Sequence, residues 1–301
     1  MRRPKPKKLP QSFELEYSPS GKFIVALGRR VARWDSESHK VRFRCHPLKH
    51  PSSCAVHPSE TSVLVKSTSG QIVLISAEDG ELLRELGGKE RGEGSNIVFS
   101  PCGDFVIDAS WGGDFIVRST ATGSVEFEHK TPGDLIRQVV PMPGSNQWLT
   151  LQSPRLTKSD EACAPDYLNC WAWPFTKPTG VLRLTSDIRH LVPSPDGRLI
   201  CAVGHESVAL FGSADGVLMG TAAHLHGGTG VSAAWSPDGT EIGLVGRHVV
   251  AFYSAPALRE LRSIPLSYPS DIKYSPDGAS IALGSWGSGL LITRDEISQV
   301  H

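Results

Sequence analysis

The chain lacks a long apolar run: nothing in its 301 residues approaches the roughly 18 consecutive apolar side chains that a membrane-spanning helix needs. Its first ten residues, MRRPKPKKLP, are basic and proline-rich with no hydrophobic stretch behind them, so we expect neither a membrane anchor nor a secretory leader. Net charge is also missing, because 31 Lys and Arg balance 31 Asp and Glu. No overall field draws the body toward nucleic acid or a membrane surface. Cysteine is sparse, six in all, too few for a disulfide framework and consistent with a reducing, cytoplasmic compartment. Amphipathic helical patterning of ordinary length is absent. So are the Gly-x-Ser-x-Gly elbow, the Gly-x-x-x-x-Gly-Lys-Ser/Thr phosphate loop and the His-Glu-x-x-His zinc pair. An enzymatic reading therefore starts with no positive motif, and no cofactor is expected.

What the sequence does have is a recurring phrase. YSPDGASIALG from Tyr274 is preceded by WSPDGTEIGLVG from Trp235, PSPDGRLICAVG from Pro193, FSPCGDFVIDAS from Phe99 and YSPSGKFIVALG from Tyr17. Two worn copies, HPSETSVLVKS from His57 and PMPGSNQWLTL from Pro141, fill the gaps. The shared prolines (Pro19, Pro58, Pro101, Pro143, Pro195, Pro237 and Pro276) are spaced by 39, 43, 42, 52, 42 and 39 residues. That is the period of a propeller blade. Seven markers predict an all-β protein, a seven-bladed β-propeller of four-stranded antiparallel sheets.

The chemistry inside one copy supports this reading. A short β-prone run (strand a) leads into Ser-Pro-Asp-Gly, where proline presets φ and glycine supplies the positive-φ position of a tight turn. Strand b, as in Phe23-Ile24-Val25-Ala26-Leu27, is almost wholly apolar and is expected to be buried on both faces. A turn and strand c follow, then a polar, alternating strand d such as Ser124–Glu128, suited to an outer edge that needs charge against aggregation. Residues 1–11 read as a basic, proline-rich tail and 12–301 as one propeller domain. Only 297–301 remain for the last strand d, and Pro4, Pro6 and Pro10 make the N-terminal segment a poor substitute. We expect a short outer strand there and a tail that contributes little to folding.

The Ser-Pro-Asp-Gly turns and the strand-c endings, among them Trp34-Asp35, STATG and GSADG, resemble those of the WD-repeat β-propeller family over essentially the whole chain. Most copies lack the family's Gly-His before strand a and its strand-c tryptophan. A second resemblance, to a six-bladed family of periplasmic assembly factors with similar turns, is disfavoured by the lack of a signal. The resemblance implies that b–c and d–a loops share one face, on which such proteins most often bind partners, with the Ser-Pro-Asp-Gly turns on the other.

One b–c loop is long: SPRLTKSDEACAPDYLNC, at about 153–170, stands where other copies use a few residues, and long loops in compact domains are often functional. The partner-facing loops should display Arg29, Arg30, Arg91, Trp111, His205, Arg247, His248, Tyr268 and Trp286. Trp, Tyr and Arg are the side chains that concentrate binding energy at protein interfaces. Trp111 and Trp286 occupy equivalent places, in ASWGGD and GSWGSG. The expected function is a non-catalytic protein-binding scaffold, or an inhibitory or immunity-type partner, monomeric alone or a subunit of a complex, with no nucleic acid and no membrane. The alternative is a small-molecule hydrolase or lactonase at the channel mouth, for which Arg137, Arg189 and Asp271 are isolated candidates of mixed sign. Cys45, His46, His50 and Cys54 offer zinc-type donors at a spacing that matches no known zinc pattern. Cys163 with Cys170 form a second candidate cluster, a redox-sensitive pair, and His224 with His226 a looser third.

Overall fold

The computed structural model describes residues 6–87, 94–154, 166–175, 177–184, 188–223 and 232–297. It contains seven four-stranded antiparallel sheets, the fold class of a seven-bladed β-propeller. The chain packs as two compact units, one from Met1–Val41 and Arg189–His301, the other from Arg42–Ile188.

In the first unit, the N-terminal strand β1 (Lys7–Leu9) precedes a sheet of β2 (Glu14–Tyr17), β3 (Phe23–Leu27), β4 (Val31–Asp35) and β5 (Val41–Cys45), whose last strand runs on into the second unit. The second unit holds three sheets. They are β6 (Pro51–Val56), β7 (Ser62–Ser67), β8 (Ile72–Ser76) and β9 (Leu82–Gly87); β10 (Ile97–Phe99), β11 (Phe105–Ala109), β12 (Asp114–Ser119) and β13 (Val125–Lys130); and β14 (Asp134–Pro141), β15 (Gln147–Pro154), β16 (Tyr167–Ala172) and β17 (Gly180–Arg183). The first unit then resumes with β18 (Ile188–Pro193), β19 (Leu199–Gly204), β20 (Ser207–Gly212) and β21 (Leu218–Ala223). After it come β22 (Ala233–Trp235), β23 (Glu241–Val245), β24 (Val249–Ser254) and β25 (Glu260–Pro265). The last sheet is β26 (Pro269–Tyr274), β27 (Ser280–Ser285) and β28 (Gly289–Thr293), followed by a one-turn helix α1 (Arg294–Ile297). No helix among the described residues is long and apolar enough to cross a membrane.

The turns form as their residues dictate. In the three intact copies the serine hydroxyl donates to the aspartate, Ser194 to Asp196 at 2.6 Å, Ser236 to Asp238 at 2.6 Å and Ser275 to Asp277 at 2.5 Å. The same aspartate accepts a backbone N–H two residues on, from Arg198, Thr240 or Ala279. Gly197, Gly239 and Gly278 take φ of 69°, 70° and 70°, a region costly for any residue with a Cβ. These hydrogen bonds hold all three carboxyls below the usual carboxylate range, the serine hydroxyl first in each case.

Apolar faces of consecutive sheets close on each other. Ile242, Leu244 and Tyr253 pack with Cys201, Val203 and Leu210, while Val250 and Phe252 pack with Ile272, Ile281 and Leu283. In the second unit Leu64 and Ile72 meet Ile97, Phe99 and Val106, and Phe115 stacks on Trp171 with centroids 4.6 Å apart.

Three expectations are corrected. The last sheet is completed by β1, which pairs antiparallel with β28 in the register Lys7↔Leu291, Lys8↔Leu290 and Leu9↔Gly289. Pro6 and Pro10 flank this strand rather than interrupt it, and Leu9 is buried against Leu15, Ile24 and Leu291. Burying a leucine contributes about 2 kcal/mol, enough to fix a three-residue edge strand. Residues 294–297, adjoining the segment reserved for that edge, turn into α1 instead. Next, the strand-c partner of β15 begins at Tyr167, with Gln152↔Tyr167 the first of six pairs, so the long loop is shorter than its sequence suggested; its centre, 155–165, lies outside the described residues. Finally, strand b is not uniformly apolar: Lys66, Asp108, Thr150, Gln152 and Glu241 are all buried there. Each is satisfied from a neighbouring strand. Lys66 Nζ donates to Asp108 Oδ1 at 2.5 Å, Ala109 O at 2.6 Å and Ser95 O at 3.0 Å.

Candidate functional site

The loops between β25 and β26, β27 and β28, and β1 and β2 are joined by backbone hydrogen bonds on one side of the first unit. Trp286 N donates to Tyr268 O at 3.0 Å, Leu266 N to His248 O at 3.0 Å, and Ser12 N to Ser285 O at 3.0 Å. Ser285 Oγ donates to Ser267 O at 2.7 Å and Ser270 Oγ to Ser12 O at 3.0 Å. At Gly28 any Cβ would run into the Gln11 carbonyl, so glycine is what lets the β3–β4 turn approach this seam. For these sheets the b–c and d–a loops therefore share a face.

Aromatic rings rise from that framework. Trp286 stacks on Phe13, with centroids 5.2 Å apart and planes 23° from parallel. Tyr268 meets His248 edge-on at 5.4 Å. Tyr268 is 64% exposed and Trp286 59%. Tyr268 also holds φ at 51°, a left-handed conformation uncommon for a bulky residue and kept here by its carbonyl bond to Trp286 and the clasp at Leu266. Arg29 and Arg30 on the β3–β4 turn, and Arg247 and His248 on the β23–β24 turn, are exposed. Among these loops only Glu206, beside half-buried His205 on the β19–β20 turn, opposes them in charge. In a chain neutral in total, these turns thus carry three arginines against one glutamate.

Trp111 belongs to the second unit, on the β11–β12 turn, and is 42% exposed. Ser110 Oγ donates to Asp114 Oδ2 at 2.7 Å, and Thr131 N donates to Gly113 O at 2.8 Å, tying the turn to its own d–a loop. Arg91 lies outside the described residues, as do Cys163, His224 and His226. Sequence reasoning missed Phe13; it sits just past the boundary drawn for the tail, and its only signal was a lone aromatic before strand a.

The inner strands of the first unit carry a charged row. Lys273 Nζ lies 3.4 Å from Glu16 Oε2. Burial works against the Lys273 charge, yet Asp271, Glu16 and Glu14 hold its pKa above the ordinary lysine range. Burial raises Glu16. His190 is pushed down to about 4 by burial and by Lys273. Asp271, an isolated mouth residue in the sequence reading, is buried and accepts from Leu15 N at 2.7 Å, Ser232 Oγ at 2.5 Å and Ile272 N at 2.9 Å. It holds backbone together. Arg137, in the second unit, donates from Nε to Ser153 Oγ at 2.5 Å, and Arg189 is exposed.

The zinc-type donors are spread out. Cys54 is buried in mid-β6, His46 and His50 are exposed, and the half-buried Cys45 thiol is pushed up to about 11 by burial. Among the described residues no three His, Cys, Asp or Glu side chains gather as metal ligands would. A cavity of about 800 Å³ opens beside the Gly21 and Asp277 turns, lined by Lys7, Lys22 and His39 and also by Asp35, Glu37 and Glu296, a mixture with no bias of sign.

The chain matches no protein-family profile and no curated protein sequence. Among solved structures it is similar to a chain of Kuenenia stuttgartiensis hydrazine synthase, with a TM-score of 0.78 and 17% identity over 98% of this chain and 99% of that one. At that identity the likeness shows the propeller fold and nothing of activity.

Proposed function

We propose that the chain is a non-catalytic, cytoplasmic binding scaffold of WD-repeat type, an assembly subunit or an inhibitory partner, that presents the loop face around Trp286 and Tyr268 to another protein. The observation that carries the reading is that these two large side chains are well exposed and yet held rigid, by the Phe13 stack and by backbone hydrogen bonds on both sides of Tyr268. Rigid aromatic groups lose little entropy on binding, which is why interfaces concentrate energy in them. Arg29, Arg30, Arg247 and His248 suit a partner surface rich in carboxylates, which they would steer and orient. The WD-repeat reading is further supported by Trp171 Nε1, which donates from strand c to the strand-b hydroxyl of Thr150 at 3.0 Å, as one step of the buried His-Asp-Ser-Trp hydrogen-bond network that the resemblance implies would.

The test is affinity purification from the native source followed by titration of the recovered protein against wild type, Trp286→Ala and Tyr268→Ala. Weakened binding by folded variants supports the reading. Undiminished affinity in both removes this face from the interface. Turnover of a lactone or ester by the wild-type chain, lost on changing Glu16 or Lys273, would favour the hydrolase class instead.

A further inference from the structure

Six of the seven outer strands carry charge, as strand edges exposed to solvent normally do. β1 has Lys7 and Lys8, β5 has Arg42 and Arg44, β9 has Arg84 and Glu85, and β13 has Glu126, Glu128 and Lys130. β17 has Arg183, and β25 has Glu260 and Arg262. β21, Leu218-Met219-Gly220-Thr221-Ala222-Ala223, has none. It is the terminal strand of its sheet, so one row of its backbone N–H and C=O groups has no partner strand among the described residues. The large side chains at its start are exposed: Val217 by 53%, Leu218 by 48% and Met219 by 59%.

We propose that β21 is a self-pairing edge. Two copies of the chain join through it, antiparallel about a two-fold axis, so that two four-stranded sheets become one continuous sheet. Two features favour a second copy over an unrelated strand. Pairing about a two-fold axis sets a strand against its own reverse, so a charge on the axis meets its like, and like charges directly opposite are destabilising; β21, with no charge at all, avoids this in every register. Its sizes also complement themselves. Side chains that oppose each other across an antiparallel pair share a face, so a two-fold axis must pass through a residue; with the axis through Thr221, Met219 faces Ala223 and Gly220 faces Ala222, so the exposed large side chain meets a small one. This inference is independent of the loop face around Trp286.

The experiment is sedimentation velocity on the full chain at concentrations up to about 100 µM, with amide exchange read at 218–223. Wild type should shift from monomer to dimer as concentration rises, with protection growing along β21. Thr221 is exposed and lies on the axis, so Thr221→Lys and Thr221→Glu should each keep the wild-type melting temperature and weaken the dimer by about tenfold or more, since like charges meet. Mixing the two variants in equal amounts should restore it. A wild type that stays monomeric, a dimer that survives Thr221→Lys, or a mixture that stays monomeric would each overturn the proposal. So would protection of β21 that appears only when a different protein is added.

Discussion

The indole of Trp286 lies on the ring of Phe13, 5.2 Å between centroids. Trp286 projects from the turn between β27 and β28, and Phe13 follows the strand that completes the same sheet. A single contact therefore joins the exposed aromatic face to the closure of the fold, and the two roles can be separated by mutation.

Trp286→Ala should cost about 2 kcal/mol in partner affinity, the size expected of an interface anchor, with a small change in melting temperature. Phe13→Ala should lower both, because the ring that steadies the indole is lost along with a stacking contact of about 1 kcal/mol. Calorimetric titration and thermal melts on the same two proteins check this. Equal losses of stability in both would mark Trp286 as a structural residue.

Removing residues 1–9 should lower the melting temperature by many degrees, since β28 would lose its hydrogen-bonded neighbour and Leu9 its site. Leu9→Ala alone should cost about 3 kcal/mol in urea unfolding, as leucine truncations in packed cores do. An unchanged melt for the truncated chain would mean that β1 is dispensable.

Lys66 and Asp108 are both nearly inaccessible, at 1% and 6% side-chain exposure. Lys66→Ala leaves a buried carboxylate without its counter-charge and should destabilise by about 4 kcal/mol. Lys66→Met combined with Asp108→Leu should recover much of that loss, because two apolar side chains of similar size need no partner. A double variant as unstable as the single one would contradict this account.

Stability should fall with acid in two stages. His190 titrates at about 4 when folded and near 6.5 when unfolded, so the unfolded chain binds the extra proton first and stability declines as pH drops from about 6.5 to about 4. Below about 4 the turn carboxylates Asp196, Asp238 and Asp277 add to the decline. Their folded pKa values are lowered, so their contribution is present above the unfolded carboxylate range and lost as pH falls through the folded one. Melting temperature against pH for wild type and His190→Gln checks the assignment; the variant should lose the upper stage alone.

Much of the architecture was legible because its signals are local. Ser194, Asp196 and Gly197 make their turn with one another, so their spacing carries the geometry. The loop position of Trp286 followed from its place after strand b in the same repeat. Its stacking on Phe13 did not, since the two residues sit at opposite ends of the chain and nothing near either announces the other. Lys66 and Asp108 were likewise silent, 42 residues apart; a polar residue within an apolar strand is tolerable only where the neighbouring sheet brings the matching group.

By itself the sequence determined the repeat period, the turn chemistry and the alternation between buried and outer strands, because each depends on interactions within one unit of about forty residues. Tertiary structure decided which segment closes the last sheet. The prolines argued against the N-terminus, but local preference of a few tenths to one kcal/mol is outweighed when β28 has an open edge to satisfy and Leu9 a buried site to fill. It also decided which loops meet: Phe13 reaches Trp286 only after that closure, because the hydrogen bond from Ser12 to Ser285 cannot form until the ends of the chain have been brought to the same sheet, whereas the bond from Trp286 to Tyr268 only continues the pairing of β26 with β27.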